Sequence, residues 1–428
     1  MQGAARKEGD LRNYVLVTAA YWADTLADGA SRILVLFFFY QLGYSALEVA
    51  TLFLFYEFFG ILTNLVGGWI ASRMGLKATL FSGLSIQIVA LGMLGFAPDQ
   101  WLVVPYVMTS QALSGIAKDL TKMSSKSAVK LVVPEDSESS LFKWVAILTG
   151  SKNALKGVGF FLGGLLLTVI GFQSAMLVLL GIVATALITT SSLMEGSLGY
   201  ADMGAKFRHM FSHTREINLL AAARLFLFAS RDVWFVVALP VYLRTVLDWS
   251  FWAAGGFLAI WVIGYGAVQA SAPGLFARRS RETGETPTGR TAAKLASLLA
   301  AFPAAIAASL AANLDPTFVL VTGLILFGVV FALNSAVHSY LVLAYAEDET
   351  VAKNVGFYYM ANAGGRLLGT ILSGAVYQWL GLEGCLWFSV ALVLIAATIS
   401  LWLPGTPRLS GLQSIVSSDT RRESHVST

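Results

Sequence analysis

The residues best suited to chemistry are ionisable side chains that fall inside long apolar stretches. They form a basic set (Arg32, Lys152, Lys156, Arg224, Arg231 and Arg366) and an acidic set (Asp24, Asp28, Glu57 and Asp232). A charge inside such a stretch is costly, so each residue is a candidate for a binding or coupling role. The basic set is the larger, and an excess of buried positive charge needs a counter-anion. The pattern therefore predicts an anionic ligand.

Asp24, Asp28 and Arg32 recur every four residues, so they share one face of a helix. A planar guanidinium at Arg32 can bind two oxygens of an oxyanion while Asp28 orients it. The alternative is a simple ion pair between Asp28 and Arg32 within the helix. The spacing alone does not separate these two interpretations.

Four further basic residues are paired on helix faces in the same way. Arg224 and Arg231 are seven residues apart, and Asp232 either joins their site or neutralises one of them. Lys152 and Lys156 also share a face, with Lys156 near the middle of its apolar stretch. Its ammonium group cannot easily reach water from that depth, which favours a role in binding.

Neutral polar residues in the same stretches extend the candidate site. Asn64 and Asn334 can bond substrate hydroxyls or bridge neighbouring helices. His338 can titrate during transport or serve as a structural histidine. If the protein moves its ligand across a membrane, either a proton carried by the acidic residues or exchange against phosphate can drive that movement. The acidic residues are Asp24, Asp28, Glu57 and Asp232.

The composition requires a membrane-spanning protein to position these groups. Of 428 residues, 56% are hydrophobic and only 13% are charged, whereas soluble domains carry about 25% charged residues. This excludes a soluble enzyme or a disordered chain. A bilayer needs roughly 20 mostly apolar residues per helix, and the sequence divides into twelve such spans. They lie near 13–41, 46–71, 77–97, 101–121, 142–169, 173–194, 217–245, 252–272, 292–312, 317–343, 354–380 and 384–403.

The spans form two sets of six, which predicts an all-α membrane protein with two pseudo-symmetric six-helix bundles. The predicted parts are a cytoplasmic N-terminus (1–12), a first bundle (13–194), a central loop (195–216), a second bundle (217–403) and a flexible tail (404–428). Nearly all Lys and Arg residues outside the spans fall on the N-terminal side, and Arg244 alone falls opposite. Both termini are therefore predicted to be cytoplasmic, in the inner (plasma) membrane.

Four of the lysines on the predicted cytoplasmic side have helical spacing. Lys118, Lys122, Lys126 and Lys130 follow one another at intervals of four residues. We interpret this ladder as a membrane-surface face, with an anion-collecting vestibule as the alternative.

Spans five and eleven resemble each other at an offset of 210 residues. Gly159–Gly164 (GFFLGG) aligns with Gly369–Gly374 (GTILSG), and Lys156 aligns with Arg366. Two related halves of six spans resemble transporters of the major facilitator type. In the same superfamily, antiporters carry G-P-x-x-G-G in span five, and Phe160 replaces the proline here.

The loop after span two carries a second resemblance to that superfamily. The stretch Gly68–Lys77 is similar to the pattern G-x-x-x-D-R-x-G-x-K, with Gly68, Ser72, Arg73, Gly75 and Lys77 at the patterned positions. The resemblance implies a gating role. Ser72 stands where the pattern has Asp, which weakens any charge lock at that position.

Several functions find no support in the sequence. There is no phosphate-binding loop and no dinucleotide fingerprint, so a secondary transporter without cofactors is favoured over a pump or an enzyme. His209 and His213 have no third metal ligand nearby, and the single Cys385 is a core hydrophobe that can form no intrachain disulfide. Dispersed basic residues argue against nucleic acid as a partner.

Six longer strings are similar to the arsenic-resistance permease family ArsJ. They are Asn13–Thr18 (NYVLVT), Phe53–Gly60 (FLFYEFFG), Gln111–Leu120 (QALSGIAKDL), Trp144–Gly159 (WVAILTGSKNALKGVG), Ala223–Trp234 (ARLFLFASRDVW) and Gly356–Arg366 (GFYYMANAGGR). The resemblance implies efflux of 1-arseno-3-phosphoglycerate, which a partner glyceraldehyde-3-phosphate dehydrogenase makes in the cytoplasm. It also implies arsenate resistance conferred by the pair.

The anionic ester implied by this resemblance agrees with the excess of basic residues found without it. Two alternatives stay open, namely a proton-coupled organophosphate or drug exporter and a transport-inactive scaffold or sensor on the same fold. We expect a monomer whose other partner is the lipid bilayer.

Overall fold

A computed structural model describes residues 2–132, 138–194, 214–283, 286–345 and 351–404, and within them the only regular structure is helical. The α-helices are α1 (Gln2–Gln41), α2 (Ala46–Leu52), α3 (Leu54–Met74), α4 (Leu76–Gly95), α5 (Val104–Val132), α6 (Glu138–Ile170), α7 (Phe172–Leu193), α8 (Arg215–Phe235), α9 (Ala238–Thr245), α10 (Phe251–Thr283), α11 (Gly289–Ala311), α12 (Pro316–Ala344) and α13 (Val351–Leu401). The all-helical prediction is confirmed.

The helices follow the predicted spans, and the departures are breaks at defined residues. Phe53 separates α2 from α3 within span two. Between α8 and α9 in span seven, Ser373 Oγ accepts hydrogen bonds of 3.1 Å from the amides of Val237 and Ala238. Gly381 bends α13 between spans eleven and twelve with a φ of +65°, which glycine adopts without a steric penalty. Joined in this way, the described helices account for all twelve predicted spans.

Nine segments of the described helices are long and apolar enough to cross a membrane. The longest, Phe357–Leu401, contains two predicted spans. Helices α1 and α5 are not among the nine, because they carry polar and ionisable residues such as Asp24 and Asp28 in α1 and Lys118 and Asp119 in α5. The chain is a multi-pass membrane protein whose least apolar spans hold ionisable side chains.

Parts of the predicted organisation lie outside the described residues. These parts are most of the central loop (195–213) and the tail after residue 404. The predicted N-terminal segment (1–12) continues α1 towards its start at Gln2. Helix α5 extends to Val132, so the four lysines of the ladder lie on one continuous helix, as their spacing predicts.

Glycines bring the inner helices of each half into backbone contact. A Cβ atom on Gly159 or Gly163 of α6 would lie 2.5 Å from a carbonyl oxygen of α1. A Cβ atom on Gly365 or Gly369 of α13 would overlap α8 in the same manner. Spans five and eleven thus pack closely on spans one and seven, and Gly159 and Gly369 hold equivalent positions of the repeat.

The same repeat places glycines where the halves meet. A Cβ atom on Gly164 would overlap the carbonyl of Phe251 on α10, and one on Gly374 would lie 2.8 Å from the carbonyl oxygen of Ala46 on α2. Nearby, the amide of Leu47 donates a 3.2 Å hydrogen bond to Oε1 of Gln378. Spans five and eight, and two and eleven, therefore hold the halves together at the ends remote from the N-terminal side.

Candidate functional site

A partly open cavity lies between the two sets of spans, with about 470 Å³ of empty space that includes open solvent. Its lining residues are Arg32, Ile33, Leu36, Phe53, Lys156, Phe160, Arg231, Asp232, Phe235, Val236, Pro240, Leu258 and Arg366. They come from spans one, two, five, seven, eight and eleven, which are three pairs related by the repeat.

The carboxylate of Glu57 joins arginines from the two halves. Its Oε1 accepts a 2.9 Å hydrogen bond from Nη1 of Arg32 on α1 and a 2.6 Å bond from Nη2 of Arg366 on α13. Glu57 itself is 1% exposed. We call these three residues the Glu57 bridge. The sequence offered Asp28 as a partner of Arg32. In the structure Arg32 instead pairs with Glu57, which also binds Arg366 of the other half.

Asp232 neutralises Arg231 locally. Nη2 of Arg231 lies 2.5 Å from Oδ1 of Asp232, and its Nε donates to the same oxygen at 2.6 Å. The other oxygen of Asp232 lies 3.9 Å from Nε of Arg366. The carboxylate of Asp232 therefore stands between two arginines of the same half. The geometry favours the neutralising role that the sequence left open.

Aromatic rings fix the orientation of the cavity's cationic groups. Cζ of Arg32 lies 4.6 Å from the centre of the Tyr56 ring and 5.1 Å from that of Phe53. Nζ of Lys156 lies 5.6 Å from the Phe160 ring centre. Such contacts stabilise a cation without neutralising it. The charges remain available to a ligand.

The cavity walls carry an excess of positive charge. The arginines Arg32, Arg231 and Arg366 line it, and arginine keeps its charge in proteins. The carboxylates beside them are Glu57 and Asp232. Three permanent cations thus face two acidic groups, and Lys156 adds another positive charge when it is protonated. An anion entering the cavity would complete the neutralisation.

Asp24 and Asp28 are buried in the first half and accept hydrogen bonds from neutral groups. Oδ2 of Asp24 accepts a 2.6 Å bond from the hydroxyl of Thr121, and Oδ1 of Asp28 accepts a 2.7 Å bond from the hydroxyl of Tyr56. Both acids lie on the face of α1 that carries Arg32, about two turns and one turn before that residue. The structure therefore brings the predicted acidic face of α1 next to α3 and α5.

A further polar cluster joins α3 to α5. Asn64 donates a 3.0 Å bond to Oδ2 of Asp119 and accepts a 2.6 Å bond from Nζ of Lys122, which also contacts Asp119. Nζ of Lys118 lies 4.0 Å from the ring centre of Tyr56. Asn64 thus bridges helices, which is the alternative weighed from its sequence. Lys118 and Lys122, the first two lysines of the ladder, therefore contact residues of α3.

Arg224 occupies a separate region of the second half. Its Nε donates a 3.1 Å bond to Oδ1 of Asn362, and its Nη1 bonds the carbonyl (3.2 Å) and hydroxyl (3.0 Å) of Ser335. Its Cζ lies 4.1 Å from the Phe228 ring centre and 4.9 Å from that of Tyr358. Unlike Arg231, it does not line the cavity described above. The seven-residue spacing therefore separates two sites.

The remaining predicted site residues divide between α12 and α6. Asn334 and His338, which are 0% and 1% exposed, flank the Ser335 that holds Arg224. Lys152 is partly buried one turn before Lys156 on α6. The lining of the cavity from this helix comes from Lys156 and Phe160.

The stretch predicted as a loop after span two is helical except at Gly75, since α3 ends at Met74 and α4 begins at Leu76. It contacts the end of span six. Gly75 precedes α4 with a φ of +78°, which explains why this position favours glycine. Nζ of Lys77 donates a 3.0 Å bond to the carbonyl of Met194, which caps α7. Arg73 is exposed, and the surroundings of Gly68 and Ser72 lie outside what the structure describes.

Some residues of these clusters escaped the sequence analysis. They are Tyr56, Asp119, Ser335 and Asn362. Asp119 had a detectable signal, since it is an acidic residue three positions before Lys122 on a continuous helix. The three neutral residues had none, because nothing in their own spans marks them as partners of distant charges.

Comparisons with known proteins agree with this architecture. A family model described as Major Facilitator Superfamily matches residues 17–347. Two solved structures of POT family transporters, one in complex with a thioalcohol-conjugated peptide and one with 5-aminolevulinic acid, have TM-scores of 0.72 and 0.71. Their sequence identities are 13% and 14%, and each match covers 91% of this chain and 95% of the other.

These structural matches show the fold, since the identities are too low to carry more. No curated protein sequence matches the chain. The family model covers more than half of the residues. The chain therefore belongs to the Major Facilitator Superfamily and has the fold of its secondary transporters.

Proposed function

We propose that this protein exports a multiply charged organic oxyanion, and that the substrate is 1-arseno-3-phosphoglycerate. The observation that carries the proposal is the cavity between the halves. Its three arginines outnumber the two neighbouring carboxylates, and Lys156 faces the same space. A drug-like cation would add to this excess of positive charge, whereas an anion would offset it.

The distribution of the cations supports a ligand with two charged ends. Arg32 and Lys156 come from the first half, while Arg231 and Arg366 come from the second. The proposed ester has a phosphate at one end and an arsenate at the other. Each end can engage guanidinium groups through paired hydrogen bonds. A single inorganic phosphate satisfies fewer of these donors.

The identity and direction of the substrate rest on the resemblance to the ArsJ strings. Several of these strings contain residues of the cavity walls, including Phe53, Lys156, Arg231 and Arg366. Export from the cytoplasm further assumes the predicted orientation in the inner membrane. A cytoplasmic glyceraldehyde-3-phosphate dehydrogenase would supply the labile ester. Its removal would keep hydrolysis from regenerating arsenate.

Arsenate tolerance tests the proposal in cells. An arsenate-sensitive bacterial host would express the permease alone, the dehydrogenase alone, both proteins, or the dehydrogenase with the Arg231→Ala permease. We expect tolerance and low cellular arsenic only when the wild-type permease and the dehydrogenase are present together. Full tolerance in a host without any arsenate-ester-forming dehydrogenase would contradict the proposed substrate.

Transport into inverted vesicles separates this proposal from its alternatives. The probe is 3-phosphoglycerate, a stable anion that has the phosphate end and the carbon skeleton of the ester. We expect uptake that competes with other phosphorylated acids and not with lipophilic cations. Competition by lipophilic cations would favour a drug exporter, and the absence of any uptake with intact, folded protein would favour the scaffold.

A further inference from the structure

Arg224 is the buried arginine whose charge is least accounted for in the described part of the chain. It is 4% exposed, and its hydrogen bonds go to Ser335 and Asn362, which are neutral. Among the described residues no carboxylate forms an ion pair with it, whereas Arg32, Arg231 and Arg366 each have one. A guanidinium inside a membrane protein is costly without a counter-charge.

The position of Arg224 is distinct from that of the cavity. It precedes Arg231 by seven residues on α8, which corresponds to two helical turns or about 10 Å. It lies on the N-terminal side of the cavity, since α8 runs from Arg215 towards Phe235 away from that side. A substrate passing between that side and the cavity would therefore pass this region.

Two further buried side chains near Arg224 have polar atoms without partners. Among the residues that the structure describes, neither polar atom of the Asn334 side chain nor Nδ1 of His338 has a hydrogen-bond partner. Both residues lie on α12, one turn apart, on either side of the Ser335 that contacts Arg224. His338 is close enough to Arg224 for an electrostatic interaction. Unsatisfied polar groups of this kind call for an explanation such as a ligand.

The surroundings hold the guanidinium in place. Rings of Phe228 and Tyr358 lie near Arg224, and Nε2 of Gln269 donates a 3.2 Å bond to the same Ser335 hydroxyl that accepts from Arg224. The guanidinium plane is thereby fixed before any ligand arrives. A preorganised planar donor favours a tetrahedral oxyanion over a carboxylic amide or an amine.

We propose that Arg224, Asn334 and His338 form a second oxyanion site, separate from the cavity and on its N-terminal side. The ligand is the phosphate or arsenate group of the transported anion, and for that class of ligand the inference rests on the proposed function. Arg224 supplies the charge, while the amide of Asn334 and the imidazole of His338 supply the hydrogen bonds that now lack partners.

Binding stoichiometry on the purified full-length protein tests this inference. The probes are inorganic phosphate and 3-phosphoglycerate, measured by titration calorimetry on wild-type protein and on Arg224→Gln and Arg231→Gln. We expect two components for each probe in the wild type. Arg224→Gln should weaken one component by about tenfold or more and spare the other, and Arg231→Gln should do the reverse.

A second set of variants guards against misfolding of Arg224→Gln. Asn334→Val and His338→Phe leave the arginine in place and remove the proposed hydrogen bonds. Each should weaken the Arg224-dependent component and leave the Arg231-dependent one unchanged.

Three results would overturn the second site. The first is a single component in the wild type that depends on Arg231 and not on Arg224. The second is a single component for 3-phosphoglycerate that both variants abolish, because Arg224 would then hold one end of a ligand seated in the cavity. The third is the absence of any oxyanion binding. A component that depends on Arg224 without one that depends on Arg231 would support this site and remove the cavity from the proposed function.

Discussion

Two buried arginine regions in this transporter solve the same electrostatic problem differently. In the Glu57 bridge, one carboxylate oxygen accepts hydrogen bonds from Arg32 and Arg366, which belong to opposite halves. Around Arg224, the partners are neutral, and Ser335 and Asn362 come from the same half as the arginine. In the first region a carboxylate of the protein offsets the charge of the arginines. In the second, no carboxylate among the described residues pairs with Arg224.

This difference assigns different roles to the two regions. An anion that enters the cavity must compete with Glu57 for the donors of Arg32 and Arg366, so binding there weakens a link between the halves. An anion at Arg224 displaces no carboxylate among the described residues and leaves the inter-half link intact. We therefore propose that substrate binding is coupled to movement of the halves at the Glu57 bridge, and that Arg224 serves as a binding site alone.

Arg366→Gln disrupts the Glu57 bridge and should have the largest effect of the variants considered. It removes the donor from the second half and leaves Glu57 bonded to Arg32 alone. Loss of a charge-assisted bond costs about 1.5–3 kcal/mol, so affinity for 3-phosphoglycerate should fall roughly ten- to a hundredfold. Ligand-dependent thermal shift of the purified protein measures the change.

Lys156→Gln is the matched control, because Lys156 is the repeat mate of Arg366 and lines the same cavity. It should weaken binding of 3-phosphoglycerate less than Arg366→Gln does, since no ion pair of the bridge is lost. Both variants should affect 3-phosphoglycerate more than inorganic phosphate. An unchanged thermal-shift midpoint in both would remove these residues from the binding site.

Arg231→Lys tests whether the cavity needs the guanidinium plane or only its charge. A planar fork binds two oxygens at once, and an ammonium group cannot reproduce this. We expect vesicle transport to fall nearly as far with Lys as with Ala, by about tenfold or more. If the Lys variant transports at the wild-type rate, Arg231 acts as a simple charge. Restored transport in Arg231→Ala with Asp232→Ala would instead indicate a structural pair.

Glu57→Gln and Asp232→Asn sharpen the comparison because they change the cavity charge equally. Each removes one negative charge next to the arginines, so each should raise the affinity for an oxyanion by about tenfold. Of these two residues, Glu57 links the two halves and Asp232 does not. Glu57→Gln should therefore also lower the turnover rate, whereas Asp232→Asn should not. Binding by calorimetry and turnover in vesicles separate the two effects. Equal turnover in both variants would show that the bridge plays no part in the cycle.

The fold followed from the sequence, because the membrane imposes simple rules on composition. Apolar length located the spans, and the 210-residue repeat indicated that the two halves are related. The structure showed which helices the glycines of the repeat bring into backbone contact. The charged residues of the cavity were also recognisable, since a charge within an apolar span is conspicuous. Arg32, Lys156, Arg231 and Arg366 all line one cavity, as a shared binding site requires.

The pairing of these charges could not be read from the sequence. Glu57 lies 25 residues from Arg32 and 309 residues from Arg366 along the chain, so their contact depends on how the two halves meet. Helical spacing could offer Arg32 a partner only on its own helix, namely Asp28, because it registers only neighbours on the same helix. The same limitation merged Arg224 and Arg231 into one site. Both guanidinium groups lie near the Phe228 ring, but their hydrogen-bond partners differ.

The smallest expected effect compares one hydroxyl in each region. The hydroxyl of Tyr56 donates a 2.7 Å bond to the carboxylate of Asp28 beside the Glu57 bridge. The hydroxyl of Tyr265 lies 3.4 Å from that of Ser335 beside Arg224. Tyr→Phe at either position keeps the ring and removes only the hydroxyl, so the two variants isolate the hydrogen bonds of the two regions.

Tyr56→Phe should destabilise the protein more than Tyr265→Phe. A hydrogen bond to a charged acceptor contributes about 1.5–3 kcal/mol, and a neutral one about 0.5–1.5 kcal/mol. The Tyr265 contact is long and should fall at or below the lower end of its range. Thermal denaturation of the purified variants in the same detergent gives the order. Equal losses of stability would mean that the bond from Tyr56 to Asp28 is no stronger than the contact between the neutral hydroxyls of Tyr265 and Ser335.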